Sequence, residues 1–135
     1  MKKTLLGLLV LVVMGLAACS SLNKDAEVNA FVSDMDKLAA DIVRTVNENP
    51  SDIDKAQQIL DSRKGDLKTQ FDKLKNIREG QLSKETSKRL MDSVEKNTES
   101  VGSLQIKYAD KSADDAKFGE KLIKLSEDYN SIYGA

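Results

Sequence analysis

Histidine and tryptophan are absent from this sequence, and cysteine and proline occur once each. Each gap closes a route. Without histidine the chain lacks the commonest acid–base group near neutral pH. The same gap removes the usual zinc and haem ligand, and the Glu-x-x-His pair of di-iron helix bundles cannot be written. The single cysteine, Cys19, excludes an intrachain disulfide, so stability has to come from packing. There is no Gly-x-Ser-x-Gly frame and no glycine-rich phosphate loop. A dominant charge is missing too: 21 Lys+Arg stand against 22 Asp+Glu. Clustered cations for a nucleic acid or an anionic lipid surface therefore have no support in the composition, and no nucleic-acid partner is expected.

What is abundant is Ala, Leu, Lys, Glu and Gln, all good helix formers, against 4% aromatic residues. That balance reads as all-α. The chain has 135 residues, enough for one domain with a small core.

The first stretch has a different character. Met1-Lys2-Lys3 precedes an apolar core from Leu5 to Val13, and Leu16-Ala17-Ala18-Cys19 follows. A basic start, an apolar middle and a small-residue end make a secretory signal. The apolar run Leu5–Ala18 contains two glycines and falls short of the roughly 20 residues that span a bilayer. Leu16-Ala17-Ala18-Cys19 resembles the lipobox of bacterial lipoproteins, a likeness confined to residues 1–19. The resemblance implies cleavage between Ala18 and Cys19, diacylglycerol on the Cys19 sulfur and, usually, acylation of the new amine. It implies a membrane partner reached through that lipid. Aspartate after the lipidated cysteine typically holds such proteins in the inner membrane. Ser20 at that position implies the outer membrane, facing the periplasm. Removal of Lys2 and Lys3 with residues 1–18 would leave 19 basic against 22 acidic side chains, a net of −3.

The expected organisation is a signal peptide over 1–18, a lipidated tether over 19–23 and a helical domain over 24–135. Helix spacing in the last part predicts four helices. The first, 24–47, carries Val28, Phe31, Val32, Met35, Leu38, Ala39, Ile42, Val43 and Val46, and Pro50 stops it. The second, 52–78, opens at Ser51 with Asp54 three residues on, a capping-box variant. Its apolar pattern weakens across Asp61–Asp66, around Gly65, where a break into two helices is the alternative. Gly80 is placed to leave the helix with positive φ, and Ser83 caps the third helix, 84–110. That helix is the most polar, with Ser87 and Asn97 in its seam, facing solvent or a partner outside the chain. Glu85 with Arg89 and Asp92 with Lys96 form favourable i,i+4 pairs. Ser112 with Asp115 repeats the cap signal before a last helix, 113–132, carrying Ala116, Phe118, Leu122, Leu125, Tyr129 and Ile132. Short connections between four such helices predict an antiparallel up-down-up-down four-helix bundle following the lipoprotein signal peptide.

No residue in this pattern claims a catalytic role. The carboxylates fall at helical spacing on faces that also carry lysines, which reads as solvated surface. Met35 reads as core: the architecture resembles cytochrome b562-like periplasmic bundles, whose haem also needs a histidine that this chain lacks. Asp110–Asp115 lacks the glycine and terminal glutamate of an EF-hand loop. No metal and no cofactor is expected. The sequence ends at Ala135, whereas small helical outer-membrane lipoproteins joined to the wall use a C-terminal lysine. Tyr129 and Tyr133, one helical turn apart, read as closing the end of the core. The expected function is a non-enzymatic module that binds a protein of the cell envelope through a helix face. The alternative is a periplasmic binder of a small ligand or of unfolded protein, using a groove between helices. Ile106 and Ile123, which lie off their helical stripes, would mark such a surface.

Overall fold

The computed structural model describes residues 23–78 and 80–134, and these contain helices and turns and no strand. The lipobox residues, Ala18 and Cys19 among them, and most of the tether lie outside the described residues. Five α-helices follow one another: α1 (Asp25–Glu48), α2 (Ile53–Leu74), α3 (Lys84–Lys107), α4 (Ala109–Asp114) and α5 (Ala116–Asn130). Short 3-10 turns cover Pro50–Asp52 and Ser131–Tyr133.

The core is built as the spacing dictates. Val28, Phe31, Val32, Met35, Leu38, Ala39, Ile42 and Val46 are all buried, forming one stripe along α1. α1 lies between α2 and α3, and α5 packs on α2, α3 and α4. α2 contributes Ile53, Ala56, Leu60, Leu67, Phe71 and Leu74, and α3 contributes Leu90, Val94, Val101 and Leu104. Phe118, Leu122, Leu125, Tyr129, Ile132 and Tyr133 complete the cluster from the last part of the chain. One end is closed by rings. Phe71 meets Phe31 at 5.8 Å and the edge of Tyr133 at 5.5 Å, and Tyr133 meets Tyr129 at 5.9 Å. Such tilted and edge-on contacts add to the area that the rings bury.

Several boundaries differ from the sequence expectation, each for a local reason. The expected helix 113–132 is replaced by α4 and α5, because Asp115 takes an extended conformation (φ −130°, ψ 92°). Its carboxylate accepts from the Phe118 amide at 3.1 Å, so Asp115 is the cap. Ser112, read as that cap, donates its hydroxyl to the Tyr108 carbonyl at 2.9 Å instead. Ser51 does not open α2. Asn49 caps the 3-10 turn before it, accepting from the Ser51 amide at 3.1 Å. α2 ends at Leu74 rather than 78, and i→i−3 bonds from Asn76 to Lys73 and from Ile77 to Leu74 tighten its exit.

α2 runs unbroken through Gly65. Gly80 leaves the α2–α3 connection at φ 81°, as expected of a residue without Cβ. Ser83 caps α3, accepting from the Thr86 amide at 3.1 Å. That start is tied to the start of α1. The Ser83 amide donates to Asp25 at 2.8 Å, and the Lys24 amide donates to the Gln81 carbonyl at 2.9 Å. The Ser83 amide is the main cause that holds the Asp25 carboxyl below the ordinary carboxylate range.

Candidate functional site

The sequence singled out Ser87 and Asn97 as a polar seam on α3. The structure separates them. Ser87 is half-buried, whereas Asn97 is 3% exposed and faces inward, a correction to the expectation that the seam faces solvent or a partner outside the chain. Its partner is Asp36, which the sequence pattern places on the solvated side of α1. Asn97 Nδ2 donates to Asp36 Oδ1 at 2.7 Å, and the buried Ser93 hydroxyl donates to the same oxygen at 2.6 Å. Asn97 also donates to Ser93 Oγ at 3.1 Å. A wholly apolar seam would let α1 slide along α3. Three polar groups that satisfy one another permit a single register, since a slip would orphan them in low dielectric.

Asp36 lies at the floor of a cleft of about 410 Å³ between α1 and α3. Val32 and Ser93 share the floor, and Glu85, Lys88, Arg89, Asp92 and Lys96 form the walls. Arg89 does not pair with Glu85 as its spacing suggested. It crosses to α1, donating to Asn29 Oδ1 at 2.7 Å and more weakly to Ser33 Oγ at 3.4 Å. Asp92 likewise pairs with Lys88 rather than Lys96. A larger hollow of about 500 Å³ runs along α3, but α3 side chains alone line it, so no second element walls it in.

Tyr129 and Tyr133 are both buried, and their hydroxyls lie 3.3 Å apart. Burial, reinforced by the other hydroxyl and by the Asp36 charge, pushes the Tyr129 phenol well above its ordinary range. Burial pushes Tyr133 up to about 12. Both are therefore neutral hydroxyls near pH 7, serving as core rather than as acids or bases. Met35 is 1% exposed and packs in the core.

On the opposite side, Asp128 of α5 gathers three donors. Lys124 pairs with it along α5, while Lys64 (2.8 Å) and Gln57 (2.8 Å) reach it from α2. Those bonds, that of Lys124 first, hold the Asp128 carboxyl down to about 2. Each oxygen of this carboxylate is taken by a donor, so the cluster is a clamp between helices rather than an open site.

Among the described residues no group of three or more His, Cys, Asp or Glu side chains is arranged to hold a metal ion. No helix among them is long and apolar enough to cross a membrane. Among the described residues three large apolar side chains are left exposed: Ile106 at 82%, Ile123 at 49% and Met91 at 38%. All three stand on α3 and α5. Sequence spacing marked Ile106 and Ile123, and the exposure of Met91 comes from the structure alone. No known protein family matches the chain, and neither do curated proteins or solved structures.

Proposed function

We propose that this protein is a lipid-anchored, non-enzymatic interaction module of the bacterial cell envelope, held at the outer membrane through Cys19 and facing the periplasm. The observation that carries the reading is the complete Leu16-Ala17-Ala18-Cys19 motif, in register behind a basic and apolar leader. The helical unit starts at Asp25, a few residues after that cysteine, so a lipid on Cys19 would sit beside the entry to α1. The Asp25–Ser83 and Lys24–Gln81 bonds put the start of α3 at the same end.

The shape suited to this role is an antiparallel up-down-up-down four-helix bundle made by α1, α2, α3 and α5. Cross-helix pairs support the alternation of direction. Asp25 with Ser83 and Asn47 with Lys107 join like ends, so α1 and α3 run parallel as touching neighbours, against the expectation that neighbours are antiparallel, and Asp54 with Lys121 and Lys64 with Asp128 set α2 and α5 parallel in the same way. In this arrangement the connection from α2 to α3 crosses a diagonal.

A protein partner of the envelope would cover the exposed apolar side chains Met91 and Ile106 of α3 and Ile123 of α5. Single exposed apolar side chains of this size are what association buries, and Ile106 and Ile123 would equally serve the alternative of a groove that binds a small ligand or unfolded protein. Lipidation is tested by palmitate labelling of the full chain and of Cys19→Ala. Label should enter the first and not the second, and label retained in Cys19→Ala would remove the anchor from this reading.

A further inference from the structure

Asp36 takes both of its hydrogen bonds on Oδ1, from Ser93 and Asn97. Among the described residues no donor reaches Oδ2, and no cation lies within ion-pair distance of this carboxylate. Asp36 is half-buried and lines the cleft between α1 and α3. Ser93 and Asn97 are themselves buried, so the carboxylate is held by rigid partners rather than by mobile surface chains. A charge so placed keeps its unused oxygen for water or for a cation that enters the cleft.

The rest of the cleft has its own pattern. Lys88, Arg89 and Lys96 stand against Glu85, Asp92 and Asp36, so positive and negative side chains balance. A cleft of one sign gathers simple counter-ions. Lys88 and Asp92 pair with each other, so Arg89 and Asp36 are left as opposite charges set apart, and a cleft of that kind favours a ligand that carries both signs. Arg89 is the positioned cation. Its bonds to Asn29 and Ser33 hold the guanidinium across the α1–α3 seam, and the other donors of its fork remain for a ligand. Asp36 lies opposite the midpoint of Ser93 and Asn97, about six residues beyond Arg89 on α3. The two charged residues are thus offset by about 9 Å along the helix.

We propose that this cleft binds a small zwitterion, with its ammonium on Asp36 Oδ2 and its carboxylate on Arg89. The offset suits a dipeptide or an ω-amino acid better than a free α-amino acid, whose two charges stand too close together. The proposal requires neither the lipid nor a protein partner, so it stands or falls separately from the anchored module.

The test is a titration of the nitrogen-15-labelled full chain, in a non-ionic detergent, with glycylglycine and with ε-aminocaproate. Amide shifts should saturate and cluster around Asp36 and along α3 from Glu85 to Asn97. Glycylglycine binding more tightly would assign the cleft to peptides, and ε-aminocaproate binding more tightly would assign it to flexible ω-amino acids. Acetylating the amine of the tighter ligand, or amidating its carboxylate, should weaken binding about tenfold or more in each case. Asp36→Asn keeps an oxygen acceptor for Ser93 and Asn97 while removing the charge, so its helical circular dichroism and melting should stay near wild type. Its affinity should fall about tenfold or more, and Arg89→Gln should do the same. Absence of saturable shifts with both ligands would overturn the proposal, as would equal affinity for the capped ligands. Should Asp36→Asn melt early, Arg89→Gln and the capped ligands still decide.

Discussion

Asn97 and Thr98 are sequence neighbours on α3 whose polar groups have opposite fates. Asn97 satisfies Asp36 and Ser93, while the buried Thr98 hydroxyl has no hydrogen-bond partner among the described residues. Replacing a donor that a half-buried carboxylate uses leaves that carboxylate undersatisfied. Asn97→Ala should therefore cost about 1–3 kcal/mol in urea unfolding. Thr98→Val removes a polar atom that has no partner and keeps the shape. It should be neutral or stabilising by up to about 1 kcal/mol. The Asp36 triad was hard to see in the sequence. Asp36 follows the core residue Met35 and reads as surface. Ser93 and Asn97, four residues apart on one face of α3, were the available signal. Their partner became visible only when two helices were laid side by side, because no single-helix periodicity carries a pairing between helices.

The weak stretch in α2 and the break before α5 belong to the scale of the helix. Gly65 sits mid-helix and exposed, and a Cβ built there meets nothing within 4 Å. Gly65→Ala should raise stability by about 0.5–1 kcal/mol, seen as a higher melting temperature. Gly119 differs, since a Cβ there would lie 3.1 Å from Ser112 Cβ, where α4 folds back on α5. Gly119→Ala should gain less than Gly65→Ala or destabilise, and the pair measured side by side checks this. Helix existence was legible because the apolar stripe of α1 is long and regular, and α2 and α3 keep helical spacing across their polar gaps. The ends were less legible. Asp115, an acid three residues before Phe118, competes with Ser112 for the cap, and the Tyr108–Phe118 contact at 5.9 Å favours the break that the structure takes. That contact joins residues ten positions apart and has no local signature.

At the scale of the whole molecule, charge placement sets the response to acid. Asp128 is held at about 2 in the folded state, below the ordinary carboxylate value of 3.8. A depressed carboxylate stabilises the fold above its unfolded pKa and loses that contribution as pH falls through the folded one. Stability should thus decline between about pH 4 and pH 2. With solvent screening, the share from this cluster is about 1 kcal/mol. Asp128→Asn should lose that amount at neutral pH and show a shallower decline in acid, read by thermal melts at several pH values. The proposed address and the proposed job rest on signals of different extent. The leader motif occupies four consecutive residues and resembles one that takes lipid. A binding face is distributed over α3 and α5 and needs the fold to assemble it.

The central claim, an anchored module with a protein partner, meets its most direct test in site-specific photocrosslinking of the full chain in its own cell envelope. Photoreactive residues at Met91, Ile106 and Ile123 should each capture one and the same envelope protein in near-stoichiometric yield. A control position in the hollow between α1 and α2, such as Lys37, should capture none. No partner above background from all three positions, or equal capture from Lys37, would contradict the account.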